Sequence, residues 1–234
     1  MTTIGLIGGM SWESSAQYYR LLNEGVRAVR GSTASAKCLL WSFDFAEIEA
    51  LQRAGDWSAQ TALMIDAAQR LEGAGADHLL ICTNTMHLMA EEVQAAVSIP
   101  LLHIADPTGA AIQAAGLRRV ALLGTAFTME QSFYKDRLAE RYALDVLIPD
   151  ADDRALVHAI IYDELVAGIL QESSRAAFRQ VIARLVGRGA EAIILGCTEI
   201  MLLVSAGDSA VPLFDTTQLH AAAAVQLALG SKAV

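Results

Sequence analysis

The chain has 234 residues, a formal net charge of −9 at pH 7 and a sequence pI near 5.0. This length fits one large domain or two of roughly 100–120 residues, and the negative charge argues against a nucleic-acid-binding surface. No apolar run approaches the roughly 18–20 residues that cross a bilayer, and the N-terminus lacks the basic segment of a secretory signal. We therefore expect a cytoplasmic protein without membrane contact, whose three cysteines stay reduced.

Short apolar runs alternate with helical patterns along almost the whole chain. The predicted strands occupy residues 3–9, 37–45, 77–83, 99–104, 118–125, 144–149, 190–198 and 211–217. The predicted helices occupy residues 11–31, 89–97, 129–142, 152–188 with a break near Gly168, and 218–229. A further predicted helix is capped by Asp56 or Ser58 and runs to Gly73 or Gly75. This alternation predicts an α/β fold in which parallel sheets carry helices on both faces.

The two halves of the chain resemble each other. IGLIGGMSWESSAQYY in the first half matches VALLGTAFTMEQSFY in the second, and GAGADHLLICTNT matches GRGAEAIILGCTEI. The spacing from glycine to cysteine agrees as well, with 74 residues from Gly8 to Cys82 and 73 from Gly124 to Cys197 (82 − 8 and 197 − 124). The repeat predicts two similar domains facing each other, each with a cysteine at the carboxyl end of a strand, where open α/β sheets bind ligands. The pattern alone assigns the last strand and helix to neither domain.

Cys82 and Cys197 lie where a strand passes into a helix. Free N–H groups and the helix dipole can stabilise a thiolate there. The same N–H groups can hold a carboxylate, together with four polar side chains, which are those of Thr83, Asn84, Thr85 and Thr198. Two thiols facing each other across a small acid can remove a proton from one face of a carbon and return one to the other face. The cysteines therefore predict racemisation, whereas Cys38, inside a strand, is expected to be a small core residue.

The sequence predicts no cofactor and no metal. It contains neither G-x-G-x-x-G nor G-x-x-x-x-G-K-[ST], and only Lys135 could conceivably serve as a Schiff-base lysine. His87 follows Cys82 by five positions, but no second Cys/His pair at ligand spacing accompanies it. Buried N–H and hydroxyl donors would then have to stabilise the carbanion in a pocket closed to water.

Five segments together resemble the aspartate/glutamate racemase family, most closely its broad-specificity amino-acid racemase branch. They are TIGLIGGMSWES, CTNTMH, LLGTAFTMEQ, GCTEI and FDTTQLHA, and they span essentially the whole chain. The motifs do not separate amino-acid racemases from relatives with the same fold, such as hydantoin racemases, maleate isomerases and arylmalonate decarboxylases. The resemblance implies catalysis without pyridoxal phosphate, with Cys82 and Cys197 as the two bases. By analogy with glutamate racemases, Cys82 would act on the D-isomer and Cys197 on the L-isomer.

The resemblance also implies an architecture. It consists of two Rossmann-like parallel-sheet domains related by a pseudo-two-fold, with the active site in the cleft between them. The last helix would return to the first domain, so that the first comprises residues 1–98 and 212–234 and the second comprises residues 99–211. The protein would be a homodimer acting on a small amino acid.

The sequence departs from acid-specific members of the family at both positive side-chain clamps. Where they carry an arginine after the second strand, this chain has Ile48 or Glu49, and where they carry a lysine before an Ala-Gly pair it has Val166. A buried substrate carboxylate without these cations would be costly. The sequence therefore predicts a neutral or basic substrate side chain, which Glu47, Glu49 and Gln52 could meet.

The remaining candidate residues have one or two interpretations each. Met10 can line the pocket or pack, Thr125 and Thr128 can donate to the carboxylate, and Glu199 can bind the substrate ammonium or only complement a helix dipole. His103 and Asp106 can approach the cleft or cap a helix, and the resemblance hints at a structural role for His220. The alternative functions are a related carbon-acid enzyme, a cysteine hydrolase, which needs a partnered histidine, and a binding protein without turnover.

Overall fold

The first compact unit comprises Met1–Ile104 and the last helix from His220. The computed structural model describes residues 1–230; residues 231–234 of the predicted first domain lie outside that range. Elements of this unit are β1 (Ile4–Gly8), α1 (Trp12–Arg30), β2 (Cys38–Ser42), α2 (Phe45–Ala54), α3 (Trp57–Gly73), β3 (His78–Ile81), α4 (Ala90–Ala95) and β4 (Leu101–Leu102). A 3₁₀ turn at Thr85–Met89 precedes α4. The four strands form one parallel sheet in the order β2-β1-β3-β4.

The second unit comprises Ala105–Leu219. Its elements are α5 (Ala105–Ala114), β5 (Arg119–Gly124), α6 (Ala126–Glu130), α7 (Ser132–Tyr142), β6 (Asp145–Leu147), α8 (Ala151–Asp163), α9 (Glu172–Gly187), β7 (Ala192–Gly196), α10 (Ile200–Leu203), β8 (Leu213–Asp215) and the start of α11 (Thr216–Leu229). Its sheet is also parallel and has the order β6-β5-β7-β8. The same strand order therefore occurs in both halves, and the predicted α/β class with parallel sheets is confirmed.

The central strands are buried on both faces, as expected for parallel sheets. Successive residues of β3 alternate between two apolar clusters, with Leu79 and Ile81 in one and Leu80 in the other, followed on the same face by Cys82. The cluster around Cys82 also contains Val225 of α11, which lies against Gly25 of α1. This packing explains why α11 from His220 onward belongs to the first unit. None of the helices within residues 1–230 combines the length and the apolar character needed to cross a membrane.

Local signals explain several helix ends. The hydroxyl of Ser11 accepts a hydrogen bond from the N–H of Ser14 and caps α1, and Gly31 ends that helix. Asp56 caps α3 in the same way. The predicted break near Gly168 is present, since Gly168 has a left-handed conformation between α8 and α9.

The structure differs from the predicted elements at several helices. Helix α2, capped by Asp44 and ended by Gly55, was missed because the predicted second strand ran on to residue 45, whereas β2 ends at Ser42. Helices α5 and α10 were also missed. The helix predicted at 129–142 is two helices, α6 and α7, because Gln131 adopts an extended conformation between them.

The pairing of the short outer strands β4 and β8 does not follow the predicted domain limits. Residues 99–104 were placed in the second domain, but β4 pairs with β3 in the first sheet. Residues 212–217 were placed in the first domain, but β8 pairs with β7 in the second sheet. Pairing with a neighbouring strand satisfies the backbone groups of these short segments, so the units divide at residues 104 and 219 instead.

Candidate active site

Cys82 is the first residue after β3 and is 1% exposed. Its backbone N–H donates to the carbonyl of Ile7 at 2.9 Å, which continues the pairing with β1. The hydroxyl of Ser14 in the first turn of α1 donates to the carbonyl of Cys82 at 2.8 Å. The position of Cys82 is therefore fixed by the sheet on one side and by α1 on the other.

His87 holds the loop that follows Cys82. Its Nε2 accepts the backbone N–H of Ile104 at 3.1 Å, and its Nδ1 lies 2.8 Å from the carbonyl of Thr83. Because a backbone N–H can only donate, Nε2 carries no proton and Nδ1–H donates to Thr83. The neutral imidazole thus links Thr83 to the end of the first unit. This contact spans 17 residues and has no local sequence signal.

The other predicted polar residues of this loop are also largely enclosed. Asn84 and Thr85 are 2% and 4% exposed, while Thr83 is half-buried. These three residues directly follow Cys82 in the chain. Their contacts with a substrate carboxylate stay a prediction.

Cys197 occupies the equivalent place in the second unit, directly after β7. It is 8% exposed and is followed by the buried side chains of Thr198 and Glu199. The carboxylate of Glu199 turns back toward the thiol, and its Oε2 accepts hydrogen bonds from Sγ of Cys197 at 3.0 Å and from Oγ1 of Thr198 at 2.8 Å. The sequence predicted the position of Glu199 beside the cysteine but not this contact.

Burial favours the protonated form of both thiols. Burial raises the pKa of Cys82 well above its usual range. Burial also raises the pKa of Cys197, as does the negative charge of Glu199, while the backbone N–H groups of Glu199 and Ile200 lower it. The net direction at Cys197 is strongly upward.

Thr125 and Thr128 lie together at the start of α6, which follows β5. The hydroxyl of Thr125 caps this helix by accepting the N–H of Thr128, and the two hydroxyl oxygens are 3.2 Å apart. Nδ1 of His158 accepts the N–H of Ala126 at 3.2 Å, and burial lowers the pKa of this histidine. Neutral His158, which sequence reasoning missed, therefore helps to hold the start of α6.

Two of the three residues at the expected positive clamps, Ile48 and Val166, lie in apolar packing, and the third is Glu49, the alternative to Ile48. Ile48 is fully buried in the cluster that also contains Met10 and Met86. Val166 packs against the core of the second unit. Neither position carries a cation, as the sequence showed.

The polar residues predicted to meet the substrate side chain differ in exposure. Glu47 is exposed, and Glu49 is engaged by Arg53 at 2.5 Å. Gln52 is 6% exposed, and its amide donates to Sδ of Met86 at 3.6 Å. Gln52 is therefore the buried member of this group.

The remaining candidates have structural contacts. Asp106 lies in the first turn of α5 and accepts two hydrogen bonds from Arg137. Buried His103 packs against His87, with the ring centroids 4.5 Å apart and the ring planes inclined at 56°. His220 accepts the hydroxyl proton of Tyr18 and donates to the carbonyl of Leu102. Cys38, expected to be a core residue, is only partly buried and packs against the core, and burial raises its pKa. Among residues 1–230, no group of three or more His, Cys, Asp or Glu side chains is arranged to hold a metal ion.

The Asp/Glu/Hydantoin racemase family model matches residues 7–224. The chain belongs to this family. Racemases are isomerases, so membership places this racemase-family protein in that enzyme class and confirms the resemblance seen in the sequence. The match includes both cysteine motifs.

Individual relatives agree with the family assignment. A Yersinia pestis protein assigned to the Asp/Glu racemases is 52% identical, with a TM-score of 0.91 over 98% of this chain and 100% of that one. An aspartate racemase homologue from Pyrococcus horikoshii OT3 is 33% identical, with a TM-score of 0.84 over 98% and 100% of the two chains. The broad-specificity amino-acid racemase RacX of Bacillus subtilis strain 168 is 27% identical over 157 residues. That match covers 66% of this chain and 66% of RacX.

Proposed function

We propose that this protein racemises α-amino acids without pyridoxal phosphate and that Cys82 and Cys197 are its two bases. The observation that carries the proposal is the equivalent placement of the thiols. Both thiols are buried. Each cysteine directly follows the third strand of its sheet, β3 or β7, and is itself followed by a threonine and a short helical turn. A reaction that handles hydrogen on both faces of one carbon needs two such groups.

The proposed chemistry is a proton transfer at the α-carbon. One cysteine, as the thiolate, removes the α-proton, and the thiol of the other donates a proton to the opposite face. A pair of thiols can serve both directions because the product leaves their roles exchanged. Hydroxyl and N–H donors near each cysteine are candidates for holding the substrate carboxylate and stabilising the carbanion, among them Thr83, Asn84, Thr85, Thr125, Thr128 and Thr198.

The substrate proposed is an amino acid with a neutral or basic side chain. A second substrate carboxylate would need a positive partner in a buried site. The clamp positions hold Val166 and either Ile48 or Glu49, none of which is a cation, and Ile48 and Val166 pack in apolar surroundings. Gln52 offers a buried amide for a polar side chain. The broad specificity in the name of RacX supports the same direction.

A chiral assay over a panel of amino acids tests this proposal. We expect interconversion of enantiomers. The kcat/KM for the best neutral or basic amino acid should exceed that for aspartate and glutamate by about tenfold or more, because one unpaired charge or lost hydrogen bond has an effect of that size. Added pyridoxal phosphate should leave the rates unchanged. Aspartate or glutamate as the preferred substrate would contradict the specificity, and dependence on pyridoxal phosphate would contradict the mechanism.

The homodimer and the cytoplasmic location remain predictions from the resemblance and the sequence.

A further inference from the structure

The carboxylate of Glu199 is positioned for the thiol of Cys197. Glu199 is 3% exposed, and the two hydrogen bonds described above converge on one oxygen, Oε2. The hydroxyl of Thr198 fixes the carboxylate while the thiol donates to it. A group held in this way can accept the thiol proton over a single 3.0 Å hydrogen bond.

Loss of the Cys197 proton to solvent is strongly opposed. Burial and the charge of Glu199 both raise the pKa of this thiol. A thiolate beside an ionised Glu199 would place two negative charges within hydrogen-bond distance in a buried site. If the proton moves to Glu199 instead, the pair keeps one negative charge, and the backbone N–H groups of Glu199 and Ile200 face the thiolate.

We propose that Glu199 is the proton acceptor of Cys197, so that the two side chains share one proton and Cys197 becomes a thiolate by passing its proton to Glu199. This inference rests on the proposed racemase function and adds a specific residue to it. The interpretation replaces the two sequence-based roles of Glu199, which were binding of the substrate ammonium and a helix-dipole contact.

The protons balance in both directions. Before reaction, Cys82 holds one proton and the Cys197–Glu199 pair holds the other. When Cys197 is the base, its S–H forms as the substrate C–H breaks, and the S–H of Cys82 breaks as the new C–H forms. The enzyme then carries its two protons on Cys197 and Glu199, which is the form that acts on the other enantiomer. One proton returning to Cys82 through solvent restores the first form.

The two halves differ at this residue. Cys197-Thr198-Glu199 corresponds to Cys82-Thr83-Asn84, and an amide cannot accept a proton at neutral pH. The acceptor is therefore built into the second unit. Because both enzyme forms hold two protons among Cys82, Cys197 and Glu199, a single ionisation state serves both directions.

The test compares Glu199→Gln with Glu199→Asp. Glutamine preserves the shape and an acceptor for the S–H bond but cannot take the proton, so kcat at pH 7 should fall by about 100-fold or more, with KM changed by less than about threefold. In Glu199→Gln the Cys197 thiol can ionise only by losing its proton to solvent. The kcat of this variant should therefore rise by about tenfold per pH unit. Glu199→Asp should restore a flat profile at a reduced rate. A glutamine variant with near-normal kcat, or with a raised KM alone, would overturn the proposal.

The wild-type protein gives a second measurement that does not depend on a folded variant. Its kcat should be independent of pH between about pH 6 and pH 9 in both directions, because thiolate formation releases no proton. A tenfold rise per pH unit through this range would overturn the role of Glu199. The racemase function itself is tested separately from the role of Glu199. It requires that the wild type racemise and that Cys197→Ser abolish the reaction.

Discussion

Replacing Cys82 or Cys197 by serine is expected to lower kcat for racemisation by about 1,000-fold or more, the range for loss of a general base. Serine preserves the size of the side chain, but its hydroxyl is far less acidic than a thiol. Each variant should lose the reaction in both directions because each direction uses one thiol as base and the other as acid. Chiral chromatography of both enantiomers measures the rates.

Cys38→Ser is the matched control for this experiment, since Cys38 packs against the core of the first unit at the amino end of β2. It should keep a rate within about twofold of the wild type, because a mild substitution of this kind changes the free energy of unfolding by less than about 0.5 kcal/mol. Enantiomers have equal free energies in water, so kcat/KM must fall by the same factor in both directions. A Cys82→Ser or Cys197→Ser protein that folds and retains a rate within tenfold of the wild type would contradict the two-base mechanism.

Gly9→Ala is expected to destabilise the first unit by roughly 3–5 kcal/mol, the upper range for a single substitution. Gly9 has a φ of +83°, and a Cβ there would overlap the backbone N and O of Phe43. The backbone cannot move aside easily, because the N–H of Phe43 donates to the carbonyl of Gly8 at 3.0 Å. The same turn leads into α1, whose Ser14 holds the carbonyl of Cys82, so activity should fall as well.

Gly55→Ala separates the clash from the backbone conformation. Gly55 has a φ of +69°, but a Cβ there would meet nothing within 4 Å. It should cost only roughly 1–2 kcal/mol, the penalty of a left-handed residue. Urea unfolding followed by circular dichroism compares the two variants. Equal losses would show that the overlap with Phe43 carries no additional cost.

The sequence predicted the elements that carry local signals. Helix α1 has its cap at Ser11 and its stop at Gly31, and the strands before the two cysteines are continuous apolar runs. Helix α2 carries a similar pair of signals, Asp44 and Gly55, but the aromatic stretch before it favours strand and obscured the boundary. The break at Gln131 has no glycine, proline or side-chain cap to mark it.

In the candidate site, too, features with a sequence signal were predicted and features without one were not. The repeat placed Cys82 and Cys197 at matching strand ends, and the structure has them there. Side-chain direction could not be predicted, because Glu199 could have turned toward solvent and instead faces the thiol. The link from His87 to Ile104 depends on how β4 lies beside β3, which no short motif records.

Proton exchange in deuterated buffer tests the central claim most directly. With a single enantiomer as substrate, proton NMR and chiral separation together follow the α-hydrogen and the configuration. The account predicts that the newly formed enantiomer carries deuterium at the α-carbon from the first turnover, and that both Cys82→Ser and Cys197→Ser stop its formation. Interconversion of enantiomers with retention of the original α-hydrogen would contradict it.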